Sequence, residues 1–213
     1  MTKQERLRLF EKVDIYPVTC ERLSNGRSDI DVVKGIIDGG AKIVQLREKE
    51  MSKRAFCELA VKVRELTAKS GLLLIINDHV DIALACDADG VHLGQDDMPL
   101  LAARRIAPDL IIGVSTHDKD EAMLAQDAGA DYVNIGPIFK TSTKEGLQNY
   151  LGPENIGTIS KELKIPFTVM GGINLDNIDK VIGAGAKKIA VVSAITLSDD
   201  ISSAVKELKS MFK

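Results

Sequence analysis

Tryptophan is absent from this chain of 213 residues, and aromatics make up only 4% of it, so ring platforms for stacking nucleic-acid bases are missing. A basic surplus is missing too. The 28 Lys+Arg stand against 31 Asp+Glu, a net charge of -3, which argues against a general nucleic-acid binder. Cys20, Cys57 and Cys86 are odd in number and show no CxxC spacing, which suits free thiols in a reducing cytoplasm. No apolar run approaches the roughly 20 residues that span a bilayer. The charged start, Met1-Thr2-Lys3-Gln4-Glu5-Arg6, does not read as a secretory signal. His79, His92 and His117 have no HxxxH spacing, which favours helix-start or packing roles. No Ser-His-Asp ordering stands out, so covalent catalysis has no specific signal. The expectation is a soluble, cytoplasmic domain with neither a nucleic-acid nor a membrane partner.

What the chain does have is alternation. Hydrophobic residues make up 45% of it, enough to bury a full core, and residues 1–213 read as one domain. Short apolar runs rich in Val and Ile predict strands at 15–19, 42–46, 72–76, 89–93, 110–114, 131–135, 167–170 and 188–192. Helical periodicity fills the intervals at 28–39, 52–69, 79–86, 99–107, 118–128, 153–163, 174–183 and 200–212. Continuously apolar strands belong in a parallel sheet covered on both faces. A weak repeat marks the passage from helix to strand in Gly39-Gly40-Ala41-Lys42, Ala128-Gly129-Ala130-Asp131 and Ala184-Gly185-Ala186-Lys187, with Cys86-Asp87-Ala88-Asp89 a degenerate copy. Ser52, Asp118 and Asn174 sit where N-caps belong, and Pro99 and Pro153 where a first-turn proline belongs. The fold class is therefore α/β, a single-domain (β/α)8 TIM barrel, with residues 1–14 as a helix closing its bottom. An open doubly wound sheet is the alternative, but no GxGxxG follows the first strand.

In such a barrel the carboxyl ends of the strands converge on one face. Here they deliver Gln45-Leu46-Arg47-Glu48-Lys49, Asn77-Asp78-His79, His92 through Asp97, Ser115-Thr116-His117, Gly136 through Lys144, Gly171-Gly172 and Ser193. Strand periodicity puts Gln45, Arg47 and Lys49 on one side. The stretch Gly136-Pro137-Ile138-Phe139-Lys140-Thr141-Ser142-Thr143-Lys144 gathers three hydroxyls and two lysines, groups that bind phosphate oxygens, although alone it reads equally as a solvated turn. Asp78 and Asp97 are hard oxygen ligands that suit a Mg²⁺ shared with substrate phosphates; each could instead cap the following helix, Asp96 being the better candidate before Pro99. The residues suggest two anion sites. One is a diphosphate with Mg²⁺ near strands two to four, and the other a monophosphate at strands six to eight, where Gly171-Gly172 and Ser193 expose backbone N–H groups.

Taken as a set, these strand ends, with Val191-Val192-Ser193-Ala194-Ile195, resemble the thiamine-phosphate synthase family over about residues 15–196. The resemblance implies a transferase of thiamine biosynthesis that joins a hydroxymethylpyrimidine diphosphate to a thiazole phosphate (or its carboxylated form), releasing pyrophosphate. It assigns Gln45, Arg47, Lys49, Asn77, Ser115 and Lys144 to the pyrimidine diphosphate, with Arg47, Lys49, Ser115 and Lys144 as the catalytic set. Asp78 and Asp97 become the Mg²⁺ ligands. Thr141, Ser142, Thr143, Gly172, Val192 and Ser193 become the thiazole-phosphate site. The implied mechanism is dissociative and needs no strong base. The chain departs from the family pattern at Cys20, where Asp is frequent, and in Glu145-Gly146-Leu147-Gln148-Asn149-Tyr150-Leu151, which lacks a frequent proline. A thiazole tautomerase-like paralogue and a non-catalytic phosphate-ligand binding protein are the alternatives. The intact cations argue against the first and the paired carboxylates against the second. The residues leave a homo-oligomer open.

Overall fold

Strands β1 (Ile15–Pro17), β2 (Ile43–Leu46), β3 (Leu73–Asn77), β4 (Gly90–Leu93), β5 (Ile111–Thr116), β6 (Tyr132–Ile135), β7 (Phe167–Val169) and β8 (Ile189–Val191) pair side by side, all parallel. The order runs β1-β8-β7-β6-β5-β4-β3-β2. The ring closes where Val18 bridges Gln45 and the Thr19 N–H donates to the Gln45 carbonyl at 2.9 Å. The computed structural model describes residues 1–141, 143 and 149–212.

Helices cover the outside: α1 (Lys3–Glu11), α2 (Asp29–Asp38), α3 (Lys53–Ser70), α4 (Val80–Ala85), α5 (Leu100–Ile106), α6 (Lys119–Asp127), α7 (Glu154–Ser160), α8 (Ile178–Gly183), α9 (Ser193–Thr196) and α10 (Ile201–Ser210). Their starts obey local chemistry. Thr2 and Glu5 form a reciprocal capping box, while Ser28, Ser52, Asp118 and Asp200 each accept an N–H from the first turn. Two expectations need correction. Helix α8 begins at Ile178, because the Asn174 Oδ1 accepts the Asp176 N–H in a local turn that precedes the helix. Glu21–Leu23 adds a 3₁₀ turn and Ser193–Thr196 a helical turn that periodicity did not reveal.

Alternation along the strands divides the core. Val44, Leu46, Leu74, Ile76, Val91, Leu93, Ile112 and Val133 point outward into the layer beneath the helices. Ile43, Leu73, Ile75, Ile111 and Tyr132 point inward, where Phe10 and Val13 from the N-terminal segment meet them and plug the bottom. The Phe10 and Tyr132 rings lie 4.5 Å apart between centroids.

The helix-to-strand repeat has a structural use at this end. Asp89, fully buried, pairs with Arg6 at 3.2 Å and Arg64 at 2.8 Å, and accepts the Leu74 N–H at 3.0 Å. Asp131 repeats the arrangement with Lys3, Arg104 and the Ile112 N–H. Each aspartate thus fastens helices to the strand layer, with its charge paired and hydrogen-bonded.

Gly113 leaves the space that Tyr132 occupies. A Cβ there would sit 2.0 Å from the tyrosine ring. Because the ring is fully buried between Phe10, Tyr16 and His92, it has no free direction of retreat. Gly113→Ala is expected to destabilise the protein by about 2 kcal/mol or more, the range of core overpacking. Urea unfolding monitors this, and a loss below about 0.5 kcal/mol, the scale of a neutral surface change, would contradict it.

Candidate active site

Toward the carboxyl ends of the strands the inward positions change character. Above the apolar plug they become Gln45, Asn77, His92, Ser115, Asn134 and Thr168, and a cavity of about 300 Å³ opens over them. All eight strands, or the turns after them, contribute to its wall. The floor is a connected polar network. The Gln45 Nε2 donates to the Tyr16 hydroxyl at 3.0 Å, which is hydrogen-bonded to the Tyr132 hydroxyl at 2.9 Å. His92 continues the chain, with Nδ1 at 3.0 Å from the Tyr132 hydroxyl and Nε2 at 2.9 Å from the Ser115 hydroxyl. Asn134 is fixed separately, its Oδ1 accepting from the Thr168 hydroxyl at 2.7 Å. Burial and partners hold these side chains in place before any ligand arrives.

One side of the rim is charged. Arg47 and Lys49 follow β2, and the Arg47 N–H donates to the Thr19 hydroxyl at 3.1 Å. Asp78 follows β3 with φ of +63°, a left-handed turn that an aspartate tolerates, and its N–H donates to the His92 carbonyl at 2.8 Å. Asp97 folds back over the turn after β4, where its Oδ2 accepts the Gly94 N–H at 2.6 Å. Lys49 forms an ion pair with Asp78. Burial raises the Asp78 carboxyl above its ordinary range, Lys49 draws it down, and the neighbouring Asp97 pushes it up again. The carboxylates are therefore mutual neighbours facing one cavity. This donor set fits a hard divalent ion such as Mg²⁺, which takes one or two carboxylates and completes its shell with water and phosphate oxygens.

The opposite side is neutral and rich in backbone. Gly171 and Gly172 take φ of +105° and +65°, and a Cβ on Gly172 would lie 2.3 Å from the Lys140 carbonyl oxygen. The Asn177 Nδ2 holds the Gly172 carbonyl at 2.9 Å. Val192 and Ser193 close this side, with Thr141 and Thr143 facing across from the β6 loop; the Thr143 N–H donates to the Thr141 hydroxyl at 3.2 Å.

Of the residues singled out from sequence, Gln45, Arg47, Lys49, Asn77, Asp78, Asp97, Ser115, Thr141, Thr143, Gly172, Val192 and Ser193 line the one cavity. Ser142 and Lys144 lie outside the described residues. Neither Asp78 nor Asp97 caps a helix, and α5 starts at Leu100 with Pro99 in the cap position, without the side-chain cap expected from Asp96. His79 packs against Phe56 at 5.7 Å, a local role, while His117 pairs with Glu121 at 2.9 Å and also reaches the cavity wall. His92 departs from that expectation and sits in the cavity floor. Tyr16, Tyr132, Asn134 and Thr168 were not singled out from the sequence. The available signal was inward parity, since His92, Asn134 and Thr168 occupy the strand positions equivalent to Asn77 and Ser115.

Residues 15–195 match the family model described as thiamine monophosphate synthase. Among curated proteins, the thiamine-phosphate synthase of Caldicellulosiruptor saccharolyticus is 44% identical, over 100% of this chain and 97% of that protein. That of Chloroflexus aurantiacus is 46% identical, over 92% of this chain and 91% of its own length. Among solved structures, thiamine phosphate pyrophosphorylase from Pyrococcus furiosus superposes with a TM-score of 0.87 at 38% identity, covering 94% of this chain and 96% of that one. A geranylgeranylglyceryl phosphate synthase from Thermoplasma acidophilum, at 16% identity and a TM-score of 0.71, shares the fold alone.

The buried network makes a pH prediction. Burial lowers the His92 imidazole from 6.5 to about 4, only partly opposed by Asp97. The folded state therefore keeps His92 neutral where an unfolded chain already binds the proton. Its contribution to stability is present above about pH 6.5 and is lost as the pH falls toward 4. NMR titration of the ring should show neutral His92 at pH 6; a midpoint near 6.5 would contradict the buried assignment.

Proposed function

The chain belongs to the thiamine monophosphate synthase family, and from that premise we propose how its residues divide the work. It is a transferase of thiamine biosynthesis with the TIM-barrel fold. Its substrates are small molecules, in this reading 4-amino-2-methyl-5-hydroxymethylpyrimidine diphosphate and 4-methyl-5-(2-phosphoethyl)thiazole or its carboxylated form. The curated relatives bear synthase names, so neither the tautomerase-like nor the binding-protein alternative is favoured. We also take residues 1–213 as one domain and the cytoplasm as its compartment. No described helix is long and apolar enough to cross a membrane.

The observation that carries the division of labour is the polarity of the cavity: cations and paired carboxylates on one side, glycine backbone and hydroxyls on the other. Gln45 and Ser115, held by the network beneath, and Asn77 beside them in the cavity would orient the pyrimidine. Arg47, Lys49 and Lys144 would take the diphosphate. Asp78 and Asp97 would hold Mg²⁺, which when bound neutralises charge on the diphosphate. Thr141, Ser142, Thr143, Gly172, Val192 and Ser193 would hold the thiazole phosphate through hydroxyls and backbone N–H groups.

Reaction then follows from placement. The C–O bond to the diphosphate breaks, and the electron pair leaves with pyrophosphate, whose charge Arg47 and Lys49 meet. The pyrimidine-methylene cation that remains is stabilised by its ring amino group. The thiazole nitrogen, held by its phosphate on the far side, supplies its lone pair to the methylene carbon. No side chain needs to remove a proton, which agrees with a buried His92 whose lowered pKa makes it a poor base. The buried floor and the walls limit access of water to the cation.

The purified protein supplied with both substrates and Mg²⁺ should release thiamine phosphate and pyrophosphate in equal amounts; no product from fresh substrates, with or without metal, would refute the synthase reading. Asp97→Ala and Lys144→Ala are each expected to lower kcat at least about 100-fold, as loss of a group that stabilises transition-state charge does. Unfolding midpoints should change little, because Asp97 is only partly buried and its side-chain hydrogen bond to the Gly94 N–H closes a local turn. Wild-type rates in both variants would sink these roles.

A further inference from the structure

Asp29 is the first residue of α2, following the cap Ser28, and its side chain turns inward. It is 1% exposed, yet among the described residues neither carboxylate oxygen meets a partner in hydrogen-bond geometry. A buried carboxylate without partners is costly, and natural structures rarely keep one without a reason. Two more carboxylates converge on it from other elements. Glu48 comes from the turn after β2, and Glu21 from the 3₁₀ turn after β1. One oxygen from each of the three lies within 4.8 Å of the others. Glu48 is oriented by the Glu21 N–H, which donates to its Oε1 at 2.9 Å.

Nearby cations are directed elsewhere. Arg22 lies 4.0 Å from Glu50, the Arg47 Nη1 lies 4.0 Å from the Cys20 Sγ, and Lys49 pairs with Asp78. Among the described residues none of the three carboxylates is in an ion pair. Three acids this close repel one another, so the cluster must take up either a proton or a cation.

We propose that Glu21, Asp29 and Glu48 form a binding site for a hard divalent cation, separate from the Asp78 and Asp97 pair. The spacing suits one ion: oxygens at bonds of about 2.3–2.6 Å from a common centre fall within such a distance of each other. An all-carboxylate set selects hard cations over soft ones. The buried Thr19 hydroxyl beside Asp29 adds a polar neighbour. An open cleft lined by Cys20, Glu21, Arg22, Gly26 and Glu48 gives the ion and its remaining waters a way in. Without the ion, burial and the adjacent Glu48 raise Asp29 to about 8, so ion binding releases a proton. The bound ion ties three segments together: the turn after β1, the start of α2 and the turn carrying Arg47 and Lys49.

The test is Mn²⁺ binding to the full chain at pH 8, with free Mn²⁺ read by electron paramagnetic resonance. The chain carries Asp78→Asn and Asp97→Asn, so that the cavity pair cannot account for what is seen. One Mn²⁺ should remain bound in this background. Adding Asp29→Asn should weaken it at least about tenfold, the scale that loss of even an outer-shell partner of a metal reaches. Glu21→Gln, at an exposed position that folding does not depend on, should weaken it in the same direction, and it decides alone if Asp29→Asn does not fold. No Mn²⁺ retained in the background, or affinity unchanged by the added substitution, would overturn the site.

Discussion

Eight parallel strands closed into a ring give each strand a face that points inward and a face that points outward, and side chains alternate between them without exception. That constraint sets the rest. At the bottom, the inward residues are Ile43, Leu73, Ile111 and the Tyr132 ring, sealed by Phe10. Two residues further along β2, β3 and β6, the same parity delivers Gln45 and Ile75, then Asn77, and Asn134. A sealed apolar bottom and a polar cavity floor above it are consequences of where apolar gives way to polar along each strand. Gly113 belongs to the same logic, because Tyr132 fills the inward space on the neighbouring strand.

Upon this ring sits an electrostatic problem that the protein does not solve alone. Asp78 and Asp97 are neighbours, and Lys49 pairs with the first. Burial and the second carboxylate both raise Asp78 while Lys49 lowers it. A diphosphate placed among these acids would be repelled by them unless a divalent ion joined the group. In the proposed assignment Arg47 and Lys49 would meet the remaining anionic charge, so such a site would favour charge leaving the substrate over a base acting on it.

All eight strands were legible from apolar runs, within about two residues, because a parallel sheet buried on both faces demands continuous hydrophobicity. Turn chemistry was harder: Asn174 has the residue type of a cap but serves a turn ahead of α8. At the site, charged and hydroxyl residues just past the strand ends stood out because they interrupt apolar sequence. Asn134 and Thr168 did not, and His92 reads as a packing residue, since inside a strand a lone polar residue shows no purpose until barrel parity assigns it a direction. Asp29 was less legible still. It reads as an ordinary first-turn acid, and its burial arises only when the turns after β1 and β2 bring up Glu21 and Glu48.

The central claim is that the carboxylate pair and the cations beside it make one diphosphate site that requires a divalent ion. Calorimetric binding of pyrophosphate with and without Mg²⁺, in the native chain and in Asp97→Asn, addresses it directly. The account predicts that Mg²⁺ strengthens pyrophosphate binding at least about tenfold in the native chain and that this coupling largely disappears in Asp97→Asn. Pyrophosphate binding that is indifferent to Mg²⁺, or coupling that survives the substitution intact, would contradict it.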